Sequence, residues 1–197
     1  MAEIVLFHSV LGLRLGVIDA AERLRCAGHV VHTPDLYEGK VFDDYPGAFR
    51  WVESMGGVPE LISRTRAAVA DLPEDVVLAG FSNGGVSAEL LAATRPGARA
   101  AVLLHAATPL EAFGAHAWPK GVPVQVHYAA NDPFRRQESI DAFAAAVRAS
   151  GASYEFFEYP VTGHLITDPS LPDEYHSESA RALFEQVLIF LNRVDRT

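Results

Sequence analysis

The sequence predicts an α/β fold: an open, mostly parallel sheet of about six strands with helices on both faces. Two observations predict it. Short apolar runs alternate with longer amphipathic stretches, the pattern of strands joined by helical crossovers. One of those runs, Val76-Val77-Leu78-Ala79, leads through Gly80-Phe81-Ser82-Asn83-Gly84-Gly85 directly into a helical pattern. Glycines packed that closely around a serine suit a sharp strand-to-helix turn.

Taken in order, residues 4–8 (Ile4-Val5-Leu6-Phe7-His8) are a continuous β-branched and aromatic run, as expected of a strand buried on both faces. Residues 15–27 follow a helical period that stops at Gly28, a residue suited to a left-handed cap. Residues 29–34 read as the second strand, and 76–79, 101–104, 122–128 and 154–157 supply four more. Helical patterns occupy about 59–71, 86–94, 137–150 and 176–194. The least regular stretch is 35–58, where Tyr37, Phe42, Tyr45, Phe49 and Trp51 stand among Gly and Pro. A long loop in a compact domain is usually functional. This one either covers a pocket or packs its aromatics onto the body.

The 197 residues suffice for one domain, and such a globule buries about 70% of the surface its unfolded chain exposes. Composition is ordinary for a globular protein, with 49% hydrophobic and 21% charged residues, so disorder, collagen and coiled coil are excluded. A net charge of −9 argues against a nucleic-acid partner. Cys26 is the single cysteine, so neither an intrachain disulfide nor a thiolate metal cluster can form. Within the helix at 15–27, Cys26 reads as a small core residue. The apolar run near Met1 lacks a basic flank, and no stretch approaches the roughly 20 apolar residues of a membrane span. The expectation is a cytoplasmic location with no membrane partner.

The chemistry starts at Ser82. In a G-x-S-x-G turn the glycines leave room where a Cβ would collide, and the serine is lifted above the sheet in a strained conformation. The helix that follows aims its N-terminal amides at the site, which favours a developing oxyanion. The backbone N–H of Asn83 is the natural first donor. A nucleotide-binding turn is the competing reading, but neither G-x-G-x-x-G nor a Walker pattern is present.

A serine nucleophile needs a general base held in the right tautomer by a carboxylate. On this topology the chain order is Ser, then acid, then His, each beyond the carboxyl end of a strand. Asp132 follows the strand at 122–128 in Ala129-Ala130-Asn131-Asp132-Pro133, and His164 follows the last strand in Val161-Thr162-Gly163-His164. Rival acids are Glu158, on the strand itself, and Asp168, after the histidine. The second oxyanion donor belongs to the loop after the first strand, His8-Ser9-Val10-Leu11-Gly12, as the N–H of Val10 or of Ser9.

Other residues are candidate pocket lining: Ser9, His105 at the end of the strand at 101–104, Trp51, Trp118 and Phe134, with Phe113 near the same mouth. His29 and His32 straddle the second strand without a third ligand to complete a metal site. His116, His127 and His176 read as ordinary surface or sheet positions.

With those residues in place, the chain resembles the dienelactone hydrolase family of the α/β-hydrolase superfamily over almost its whole length. The resemblance rests on Gly80-Phe81-Ser82-Asn83-Gly84-Gly85, Thr33-Pro34-Asp35-Leu36-Tyr37, Asn131-Asp132 and Gly163-His164. It implies a single α/β-hydrolase domain over 1–197 and hydrolysis of a lactone or ester. The family uses a Cys–His–Asp triad, so Ser82 is a departure. A second departure is Ser9, which stands where dienelactone-cleaving members carry a thiol-activating glutamate. The third is Asp168, at the position of a carboxylate-gripping arginine, which turns the expectation toward a neutral ester or lactone. The expected function is therefore a serine hydrolase working through an acyl-enzyme without cofactor or metal. The alternatives are a non-catalytic protein of the same fold that binds a small ligand or partner, and a nucleotide-binding protein.

Overall fold

The computed structural model describes residues 1–196. Six strands, β1 (Glu3–Phe7), β2 (Val30–His32), β3 (Val77–Phe81), β4 (Ala100–Leu104), β5 (Val124–Asn131) and β6 (Tyr154–Thr162), form one sheet. Their order is β2-β1-β3-β4-β5-β6, and every pairing is parallel. The helices are α1 (Leu15–Cys26), α2 (Tyr45–Ser54), α3 (Gly57–Ala67), α4 (Asn83–Thr94), α5 (Gln137–Ala149) and α6 (Ser177–Val194), with a short 3₁₀ turn at Leu110–Phe113. This is the α/β-hydrolase fold. The chain moves outward from β1 to β2 and then returns to place β3 on the other side of β1. Open parallel sheets bind ligands at such a switch, beyond the strands' carboxyl ends.

The alternation of side chains splits the core into two layers. Ile4 and Leu6 of β1, Val77 and Ala79 of β3 and Val102 of β4 face α1 and α6. Val5, Leu78, Leu103 and Val126 face α3, α4 and α5. Buried on both sides, the central strands have little room for polar residues, which is why they read as unbroken apolar runs.

Two expectations need correction. The stretch 35–58 is not irregular throughout, because it contains α2 and the first residues of α3. Asp44 caps α2, its carboxylate accepting the Gly47 N–H at 2.6 Å, and Pro46 lies in the first turn. That start signal is ordinary helix chemistry, hidden by the surrounding glycine. Cys26 is exposed, because the inward stripe of α1 is Val17, Ala20, Ala21 and Leu24 and Cys26 lies off it. In addition, β5 and β6 run further than their apolar runs, held together as far as the pairing of Asn131 with Thr162. Gly28 has φ +93° just beyond the end of α1. Among the described residues, no helix is long and apolar enough to cross a membrane.

A buried polar cluster of three residues sits inside this core. His127 of β5 is fully buried, its Nε2 2.9 Å from Gln125 Oε1 and its Nδ1 2.9 Å from the Tyr159 hydroxyl. Burial lowers its pKa to about 3, and burial also lowers His8 and His105. Unfolded histidine takes up its proton near pH 6.5, whereas native His127 stays neutral down to about 3. Between those values the unfolded state binds more protons, so stability is complete above pH 6.5 and is lost as the pH falls. Urea unfolding should lose about 2 kcal/mol from pH 7 to pH 5 on account of such a residue. The same pH dependence in His127→Gln would contradict the buried, neutral ring.

Candidate active site

The site is built on the turn from β3 to α4. Ser82 has φ 52° and ψ −116°, a left-handed backbone that few side chains adopt. Its N–H donates to Leu104 O of β4 at 2.7 Å, and its carbonyl accepts from Val86 N at 3.0 Å, so the strained residue is tied down on both sides. A Cβ on Gly80 would overlap the Gly84 carbonyl, and one on Gly84 would overlap the carbonyls of Phe7 and His8. The two glycines thus allow α4 to start against both its own strand and the end of β1.

Three side chains meet above this turn. His164 Nε2 lies 2.6 Å from Ser82 Oγ, and His164 Nδ1 lies 2.7 Å from Asp132 Oδ2. Asp132 and His164 are 7% and 3% exposed, so little water competes for these bonds. The other Asp132 oxygen accepts the Phe134 N–H at 2.8 Å, which fixes the carboxylate. Since a carboxylate only accepts, Nδ1 of His164 carries the proton and Nε2 is left to accept from the serine. The two strands that run long, β5 and β6, deliver Asp132 and His164 to this point.

Neither rival acid is near. Glu158 pairs with Arg135 at 2.5 Å on the surface. Asp168 accepts from Ser170 N at 2.9 Å and from its hydroxyl at 2.6 Å, and faces Arg14 at 3.5 Å. It lies outside the cavity at Ser82, so the expected repulsion of an anionic substrate by Asp168 has no basis here.

That cavity holds about 390 Å³. Val10, Val86, Phe49, Phe134 and Tyr128 supply apolar wall, while Arg136 and Ser139 reach it from the start of α5. No Asp or Glu is among its lining residues. His105 also lines it, with φ +62°, its ring centroid 5.7 Å from that of His164. Neither His105 nitrogen has a hydrogen-bond partner, and burial first, then His164, pushes its pKa well down. Phe134 lies with its ring centroid 4.7 Å from His164.

Three expected lining residues are elsewhere. Ser9 turns its hydroxyl to the Leu11 N–H at 3.2 Å. Trp51 packs on Tyr37 and Phe42, with centroids 4.6 and 5.6 Å away. Trp118 is buried in the core beside Phe143, its indole N–H donating to Val122 O at 2.8 Å. Both indoles are packed against aromatic rings away from the mouth. Of the aromatics in 35–58, Tyr45 and Phe49 of α2 reach the cavity.

One part of the site has no signature in the sequence. Glu174 accepts the N–H of His164 at 2.8 Å and of Leu165 at 2.7 Å, and the Tyr45 hydroxyl at 2.8 Å. Its carboxylate therefore fixes the backbone of the histidine loop and ties α2 to it. Burial and this carboxylate both push the Tyr45 hydroxyl pKa up. Among the described residues, no group of three or more His, Cys, Asp or Glu is placed to hold a metal.

The sequence profile of the dienelactone hydrolase family matches residues 1–195. A curated Escherichia coli (strain K12) protein whose name contains the term carboxymethylenebutenolidase is 25% identical, over 94% of this chain and 74% of that protein. The crystal structure of a dienelactone hydrolase-like promiscuous phosphotriesterase from metagenomic libraries superposes with a TM-score of 0.82. It is 20% identical and covers 98% of this chain and 87% of its own. Thermogutta terrifontis esterase 2, phosphonylated by cyclosarin, gives 0.66 at 18% identity, with 98% and 83% covered.

The short His164–Asp132 bond should produce a far-downfield imidazole proton resonance in ¹H NMR. It should vanish in Asp132→Ala and persist in Glu158→Gln and Asp168→Asn. Its survival in Asp132→Ala would reassign the partner of His164.

Proposed function

The chain belongs to the dienelactone hydrolase family, which makes it a hydrolase of ester bonds, and on that premise we propose that it is a serine hydrolase of small carboxylic esters or lactones working through an acyl-enzyme. The observation that carries this reading is the continuous path from Ser82 Oγ through both nitrogens of His164 to Asp132, at 2.6 and 2.7 Å.

In this mechanism His164 Nε2 takes the proton from Ser82 as Oγ attacks the substrate carbonyl. Asp132 stays ionised and stabilises the imidazolium. The carbonyl electron pair moves onto its oxygen, which the N–H groups of Asn83 and Val10 receive. Asn83 opens α4, so its amide has no acceptor within the helix, and the helix dipole adds to the field there. Val10 lines the cavity, and its N–H has no backbone acceptor among the described residues. The tetrahedral intermediate collapses as His164 returns the proton to the leaving alkoxide, leaving Ser82 acylated. Water then repeats the sequence: His164 removes its proton, the hydroxide oxygen bonds to the acyl carbon, and the Ser82 oxygen leaves as the hydroxyl. A lactone differs only in that the alcohol stays attached to the acyl group.

The cavity supports this substrate class. About 390 Å³ with an apolar wall suits a small ester. A serine also removes the need for the thiol-activating glutamate, consistent with Ser9 in the loop after β1. Arg136 is the fixed charge on the wall and leaves room for an acyl group carrying a polar or negative substituent.

Replacing Ser82 by Ala should lower kcat for p-nitrophenyl acetate by about 10⁴-fold or more. Hydrolysis within tenfold of wild type would remove Ser82 from the nucleophile's role.

A further inference from the structure

The catalytic reading above leaves one buried titratable group unexplained beside the oxyanion loop. His8 follows β1 directly and is 1% exposed. Its Nδ1 lies 2.7 Å from Ser9 O, and its Nε2 lies 3.0 Å from Leu36 N. Both partners have fixed polarity. A carbonyl only accepts, so Nδ1 must carry the proton, and an amide N–H only donates, so Nε2 must be bare. The ring is therefore neutral and of one tautomer, and burial, which lowers its pKa, works in the same direction. Tyr37 packs edge-on against it with centroids 4.6 Å apart. Asp35 lies 3.9 Å from Nε2, beyond hydrogen-bond reach, and its carboxylate accepts the N–H groups of Tyr37 and Gly39 instead.

The consequence lies one peptide further on. In a trans peptide the C=O and the following N–H point in opposite directions. Holding the Ser9 carbonyl therefore sets the direction of the Val10 N–H. Gly12 N also donates to Ser9 O, at 3.1 Å, so this oxygen is gripped from two sides. Val10 itself lines the cavity, and its N–H has no backbone acceptor among the described residues. The close approach at Gly84, whose added Cβ would overlap the His8 carbonyl, puts this loop against the residues that follow Ser82. We infer that His8 is a positioning residue for the oxyanion hole: its neutral imidazole pins the Ser9–Val10 peptide so that the Val10 amide faces the developing oxyanion. The inference rests on the serine-hydrolase reading and deepens it.

Asparagine and glutamine substitutions separate the two halves of this role. In His8→Asn the side-chain amide nitrogen stands near the place of Nδ1, so the bond to Ser9 O is kept and that to Leu36 is lost. In His8→Gln the longer side chain ends near the place of Nε2, so the reverse holds. His8→Leu loses both bonds. With p-nitrophenyl acetate, kcat should fall by about 10- to 100-fold in His8→Leu and His8→Gln with KM little changed, and His8→Asn should recover most of it. Affinity for an alkyl trifluoromethyl ketone, whose adduct with Ser82 carries an oxyanion, should fall in parallel with kcat. Variants as active as wild type would overturn the inference. So would a His8→Gln that outperforms His8→Asn, since then the Leu36 contact and its packing are what matter.

A second measurement needs no variant. In wild type, forming the ketone adduct should move the Val10 amide proton strongly downfield. An active wild type with an unmoved Val10 amide overturns the inference alone. A wild type that neither hydrolyses the ester nor forms the adduct removes the serine-hydrolase reading and the inference together.

Discussion

The turn between β3 and α4 can exist only because two glycines let backbone pass against backbone. Gly80 admits the first turn of α4 over its own strand, and Gly84 admits that helix against the end of β1. From this contact come the left-handed backbone of Ser82, the nearness of the 8–12 loop and the direction in which α4 points its free amides. A methyl group at either glycine would have to displace main chain, which is why the geometry cannot relax gradually. The energy stored at Ser82 is held by ordinary bonds around it, among them the Ser82 N–H to Leu104 O.

The histidine side is supported differently. His164 stands beyond β6 on a loop, where backbone is usually mobile. Here a single carboxylate, Glu174, accepts two consecutive amides of that loop and the hydroxyl of Tyr45. The aromatic rings of Tyr45 and Phe134 then close on the imidazole, with centroids 5.9 and 4.7 Å away. Rigid sheet on one side and a pinned loop on the other bring Ser82 and His164 to hydrogen-bonding distance before any substrate arrives.

Much of this is legible in the sequence because it is local. The β3–α4 turn declares itself in six consecutive residues, and burial on both faces makes β1, β3 and β4 unmistakable apolar runs. The order Ser82, Asp132, His164 follows from the topology that those runs imply. What is not legible depends on contacts distant along the chain. Glu174 stands ten residues beyond His164 with no motif around it. Trp51 and Trp118 carry no mark that tells a core indole from one at a cavity mouth. Asp168 looks exposed to substrate in the sequence, yet Arg14, far earlier in the chain, turns it away. Glycine and proline density obscures α2, although Asp44 and Pro46 together are a helix start.

The most direct measurement is a crystal structure of the protein after reaction with a phosphonate ester. The account predicts phosphorus bonded to Ser82 Oγ, with the phosphonyl oxygen within hydrogen-bond distance of the amides of both Asn83 and Val10 and His164 still paired with Asp132. Phosphorus on any other residue, or a phosphonyl oxygen turned to solvent, would contradict it.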